Sequence, residues 1–161
     1  MILTAGNTLN ITSDFNFGGT LELTANTVLA LAGDGSQIDI GTLKITGDTV
    51  IDFGEDQAIE FNLGSLQITG TNKITVNNWV SFQDLWTTGS FVGGSGSVTI
   101  DERDSNTAQI TFNGFDESDT IWMNFDFGAN EITVPEPSSY GALLMTFGLA
   151  TWVLRRRRRL A

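Results

Sequence analysis

Between Leu21 and Val76, apolar residues alternate with polar ones in short runs: Leu21 and Leu23, Leu29 and Leu31, Ile38 and Ile40, then Leu43 and Ile45, Ile51 and Phe53, Phe61 and Leu63, and again Leu66 and Ile68, Ile74 and Val76. Each run has the period of two that belongs to a strand with one buried face. The triplets Gly19-Thr20-Leu21, Gly41-Thr42-Leu43 and Gly64-Ser65-Leu66 recur at spacings of 22 and 23 residues, and a period in that range marks a solenoid. The offset from the first apolar pair to the second is eight residues in all three coils. Stacking the coils on that offset places Leu21, Leu43 and Leu66 in one inward column and Leu29, Ile51 and Ile74 in another, with Leu31, Phe53 and Val76 beside them. The predicted body is all-β: a right-handed parallel β-helix with three faces per turn, its coils occupying residues 1–78.

The outward positions fit that arrangement. Glu22, Lys44 and Gln67, like Thr24, Thr46 and Thr69, form polar ladders able to pair with neighbours one coil away. Gly33-Asp34-Gly35 and Gly47-Asp48 supply corners, where positive φ or bonds from side chain to backbone are needed. A leucine-rich repeat has a similar period, but its Asn ladder and helical return segment are missing here. From Trp79 to Phe91 the repeat breaks down and Trp79, Phe82, Trp86 and Phe91 crowd together. These rings are expected to cover the last open coil, and the strand-like runs Ser97 to Ile100, Gln109 to Phe112 and Thr120 to Phe127 to complete a C-terminal β cap over residues 79–133. At the other end a partial turn holds Leu9, Ile11, Phe15 and Phe17 with no comparable cap.

Composition adds limits. The chain has 161 residues, 40% of them apolar, enough for one domain with a real core. With 19 acidic residues against 8 basic the net charge is −11, which excludes nucleic acid as a natural partner. There is no Cys and no His. That removes thiol nucleophiles, disulfides, imidazole bases and nearly every zinc or copper site.

The charge is also divided along the chain. All the acids lie at or before Glu136, whereas five of the bases are the consecutive Arg155, Arg156, Arg157, Arg158 and Arg159. The only prolines, Pro135 and Pro137, stand at the junction. Beyond them runs an apolar stretch from Tyr140 to Leu154, predicted to form a short transmembrane helix of about 22 Å, less than the roughly 30 Å hydrocarbon layer. The arginines cannot readily cross a bilayer, so they are expected to stop transfer on the cytoplasmic side and leave residues 1–139 outside. An amphipathic helix is disfavoured, because Ala142 to Leu154 carries no charged face.

Pro135-Glu136-Pro137, the apolar stretch and the terminal Arg cluster, in that order over residues 134–161, closely resemble the PEP-CTERM sorting signal of Gram-negative bacteria. The resemblance implies export, transient anchoring in the inner membrane with the body on the periplasmic side, and processing near Pro135, Glu136 and Pro137 by an exosortase. The destination would then be the cell surface or an extracellular matrix. The body, especially Ile45 to Gly54, is similar to autotransporter-associated β-strand repeats. Such a tail calls for an N-terminal signal peptide, yet Met1-Ile2-Leu3-Thr4 opens with no basic or apolar region of that kind. With the uncapped first coil, this predicts that the natural polypeptide continues upstream of Met1.

Catalysis has thin support. Polysaccharide hydrolases need paired carboxylates, and lyases usually need Ca²⁺ with Lys or Arg. The body holds only Lys44, Lys73 and Arg103, while Asp52 with Glu60, or Asp116 with Glu117, fit solvated faces or loops equally well. Gly93-Gly94-Ser95-Gly96-Ser97 begins like a Ca²⁺-binding β-roll nonapeptide, but Val98 stands where Asp is required. The acidic corners at Asp34 and Asp39 or Glu55 and Asp56 offer at most weak Ca²⁺ binding, and no cofactor, metal ligand or catalytic residue is assigned. The expectation is a non-catalytic surface or matrix protein associated with extracellular polysaccharide. Its alternative is a carbohydrate-binding module that stacks sugars on Trp79, Trp86 or Trp122.

Overall fold

The computed structural model describes residues 1–55, 57–80, 83–93, 96–97, 109–115, 121–124 and 130–134. Its strands are β1 (Ile2–Leu3), β2 (Thr8–Ile11), β3 (Phe15–Leu23), β4 (Thr27–Leu31), β5 (Gln37–Ile45), β6 (Thr49–Asp52), β7 (Glu60–Ile68), β8 (Ile74–Asn77), β9 (Leu85–Thr88), β10 (Phe91–Gly93), β11 (Gly96–Ser97), β12 (Ile110–Phe112), β13 (Ile121–Asn124) and β14 (Asn130–Thr133). They wind a β-solenoid of about four turns with no α-helix among the described residues. Up to β9, odd and even strands separate into two sheets. In one, β1, β3, β5, β7 and β9 follow one another in parallel, and in the other the order is β2, β4, β6, β8 and β12.

Three inward faces are present, but two of them share a single strand. In β5 the side chains of Ile38 and Ile40 point into the core, Gly41 and Thr42 both lie outside it, and Leu43 and Ile45 point in again. Two successive outward residues shift the phase of the alternation, so the strand bends there. The bend is built on glycine because the coils nearly touch. A Cβ on Gly41 would collide with the Gly18 carbonyl oxygen of the coil before, and one on Gly64 would stand 2.5 Å from that of Gly41.

The expected column of Leu21, Leu43 and Leu66 stands in register and is fully buried, and Phe91 extends it. The second column needs correction. Leu29 pairs with Ile51, but Ile51 pairs with Val76, and Ile74 lies opposite Thr49. The third corner holds five residues, 69–73, where the second holds three, 46–48, so the extra pair moves β8 by two positions. Gly70, at φ 62°, lets the longer corner turn. Ile74 thereby tops a pair of buried threonines, Thr27 and Thr49, whose hydroxyl oxygens are 2.8 Å apart. Each hydroxyl also lies 2.8 Å from a carbonyl oxygen, that of Thr24 for Thr27 and that of Thr27 for Thr49, so two protons serve three contacts.

Side chains tie coil to coil. Lys44 and Glu22 form an ion pair at 3.3 Å. Thr24, Thr46 and Thr69 donate not to one another but to the Leu3, Leu23 and Ile45 carbonyls of the preceding coil, at 3.1, 3.3 and 2.8 Å. At the corners Asp14, Asp34 and Asp48 accept backbone N–H bonds from Gln37, Ala58 and Lys73 at 2.9–3.1 Å. These four carboxylates are therefore structural.

The parallel stack also continues past Trp79. β9 and β10 both pair with β7, and β12 pairs with β8, which adds a fourth coil. Trp86 lies in register with Phe61 and packs inside. Phe53, Phe61, Trp79, Trp86 and Phe112 form a layer with ring centroids 5.0–6.4 Å apart, mostly edge-on or tilted as aromatic quadrupoles favour. The rings thus fill the fourth coil rather than lying over the third. Beyond it the pairing reverses: β14 adds antiparallel to β9, and β13 antiparallel to β14.

Candidate functional site

The strand bend leaves a groove of about 300 Å³ on the outer surface, lined by Asn16, Phe17, Gly18, Asp39, Ile40, Gly41, Asn62, Leu63 and Gly64. Its floor is the glycine column, where bare backbone replaces side chains. Its wall is a register line, Asn16 on β3, Asp39 on β5 and Asn62 on β7, and the line continues beyond the groove through Thr87 on β9 and Glu131 on β14. The carboxylate of Asp39 accepts from Asn62 Nδ2 at 3.1 Å, from Asn16 Nδ2 at 3.5 Å and from Gln37 Nε2 at 3.2 Å. Asn62 Nδ2 also donates to Glu60 Oε1 at 3.0 Å, and Asn62 Oδ1 accepts from the Thr87 hydroxyl at 2.6 Å. Phe17, in register with buried Ile40, packs against the core. Its ring stacks on Phe15 at 6.3 Å and lies over Gly19, where a Cβ would stand 2.9 Å from Phe17 Cζ.

This constellation was absent from the residues singled out by spacing of apolar positions, yet the sequence carries its signal. Phe15-Asn16-Phe17-Gly18, Ile38-Asp39-Ile40-Gly41 and Phe61-Asn62-Leu63-Gly64 repeat an apolar, Asx, apolar, Gly pattern every 23 residues.

The carboxylates considered for catalysis do not converge. Asp52, on β6, accepts from Gly54 N–H at 3.0 Å and Asn78 Nδ2 at 2.8 Å, while Glu60, on β7 of the other sheet, is engaged by Asn62. Asp34 serves a corner and Asp39 serves the groove. Glu55 is exposed, and Asp56, Asp116 and Glu117 lie outside the described residues. Among the described residues no three His, Cys, Asp or Glu side chains are grouped to hold a metal ion. Trp86 is fully buried and cannot stack on a sugar, which removes it from the carbohydrate-binding alternative; Trp79 is half-buried in the same ring layer.

Two carboxyls are perturbed. Asp84 is buried, and desolvation raises its carboxyl above the ordinary value, although N–H bonds from Val80 at 2.7 Å and Ile59 at 3.1 Å pull the other way. Burial also raises Glu131.

The chain leaves the body abruptly. Ile132, Thr133 and Val134 are all buried, and the proline motif begins at the next position. A scan against family models matches residues 133–159 to the PEP-CTERM protein-sorting motif. The chain carries a PEP-CTERM sorting motif. The motif implies export and processing by an exosortase, a membrane enzyme. It covers the tail and not the body, and no curated protein and no solved structure matches the chain. Pro135, Glu136, Pro137, the stretch 140–154 and Arg155 to Arg159 lie outside the described residues. Among the described residues no helix is long and apolar enough to cross a membrane.

Proposed function

We propose that this is an exported, non-catalytic surface or extracellular-matrix protein, a β-solenoid spacer delivered by its sorting tail. In this reading the solenoid is right-handed and related to autotransporter-associated strand repeats, with β13 and β14 as its C-terminal cap. The apolar helix over 140–154 holds the chain in the inner membrane until exosortase acts near Pro135-Glu136-Pro137, and the body then associates with extracellular polysaccharide. The single observation that carries the reading is the sorting motif at 133–159, which follows the terminal strand of a β-solenoid whose corner carboxylates are taken up in bonds to backbone.

The test is fractionation in a bacterium that encodes an exosortase, with the chain tagged in its body and supplied with an export signal. The intact chain is expected at the surface or in the medium, shortened at its C-terminus. The variant Pro135→Ala, Glu136→Ala, Pro137→Ala is expected to stay full-length in the inner membrane. Identical processing and distribution of the two chains would overturn the reading.

A further inference from the structure

We propose that the groove along Asn16, Asp39 and Asn62 binds a neutral, linear glycan. The inference deepens the surface-protein reading and rests on it only for the polysaccharide being at hand. Three features define the ligand. The first is shape: the lining residues repeat once per coil, so Asn16, Asp39 and Asn62 stand roughly 4.8 Å apart along the stack. An extended, repeating chain matches this better than a compact metabolite.

The second is hydrogen-bond supply. Asn62 spends its amide nitrogen on Asp39 and Glu60, and Asn16 gives an N–H to Asp39. What the ladder leaves for a ligand is chiefly acceptor capacity: the Asn16 carbonyl, the second lone pair of Asn62 Oδ1 and the remaining carboxylate positions of Asp39. A wall of acceptors calls for a ligand dense in donors, as a row of hydroxyl groups is. The glycine floor, free of side chains, offers the flat surface that sugar C–H faces can approach.

The third is charge. The lining residues include Asp39 and no Lys or Arg, and Glu60 adjoins Asn62. A uronate or phosphate chain would meet like charge without a cationic partner. An extended peptide gains little inside the groove either, because β5 and β7 are paired on both sides; the edge left open, β3 from Phe15 to Gly19, would seat a peptide beside the groove and not in it.

Gly18 supplies a clean block. A Cβ there meets nothing within 4 Å and no positive φ is required, so Gly18→Leu fills the groove without straining the body. The experiment is titration calorimetry on the full chain in mild detergent, with cellohexaose, chitohexaose and hexagalacturonate as probes. At least one neutral hexamer is expected to bind at about millimolar concentration or below. Gly18→Leu and the surface variant Asn16→Ala should each weaken it by about tenfold, with thermal midpoints unchanged, while Thr75→Ala on the other sheet leaves it intact. Failure of both neutral hexamers to bind, tighter binding of hexagalacturonate, or indifference to both groove variants would each overturn the proposal. A chain that is exported and processed yet binds none of these sugars loses the groove assignment and keeps the export reading. A chain that binds but is never processed does the reverse.

Discussion

Asp84 concentrates the tension between burial and charge. Its carboxylate is the acceptor for the N–H groups of Val80 and Ile59, but desolvation outweighs those bonds and raises its proton affinity in the folded state. A carboxyl whose folded value lies above its unfolded one contributes stability that is full below the unfolded value and is lost as pH rises through the folded one. Thermal stability should therefore fall as pH rises above about 4 through the titration of Asp84 and Glu131. Asp84→Asn should flatten that slope, measured as melting temperature against pH. Asp84→Leu should instead lower stability at every pH, by about 1–3 kcal/mol for each orphaned N–H. An unaltered slope in Asp84→Asn would assign the dependence to another group. The indole nitrogens of Trp79 and Trp86 are buried without a hydrogen-bond acceptor inside the ring layer that they form with Phe53, Phe61 and Phe112.

At the scale of the strand, inward and outward positions make opposite predictions. Ile51→Asp buries an unpaired charge in a fully enclosed column and should cost several kcal/mol, whereas Lys44→Asp loses a half-exposed ion pair worth at most about 1 kcal/mol and sets Asp against Glu22. Gly64→Ala should cost about 1–3 kcal/mol, because its Cβ meets backbone that cannot rotate away. Chemical denaturation of the three variants checks both statements, and equal losses for Ile51→Asp and Lys44→Asp would contradict the assignment of faces. The alternation made the inward set readable in advance, down to Leu21, Leu43 and Leu66. It could not set the register of β8, because a slip of two residues returns the same face to the core, and only the length of the 69–73 corner decides it. The fourth coil was hidden for a related reason. Trp86 follows Phe61 by 25 residues and Phe112 follows Val76 by 36, so the period fails while the stacking persists. The groove went unread because its signal lies in the polar residues between the apolar ones, Asn16, Asp39 and Asn62.

The whole body behaves as a column in which each coil is supported by its neighbours. Central coils have two neighbours, terminal ones have one, and protection against hydrogen exchange should follow that order. Amides of β5, β6 and β7 are expected to exchange slowest and those of β1 and β2 fastest; uniform protection would contradict a column with separable coils. The junction at Val134 has a mechanical consequence. Any pull on the sorting tail enters the body through β14, which is joined to β9 by two paired positions, whereas β5 and β7 share eight. Tension from a membrane or an enzyme gripping the tail would peel the terminal hairpin, β13 and β14, before it reached the coils. Opening the hairpin would also uncover Ile132 and Val134, so the load that it bears is set by their burial as well as by the short ladder to β9.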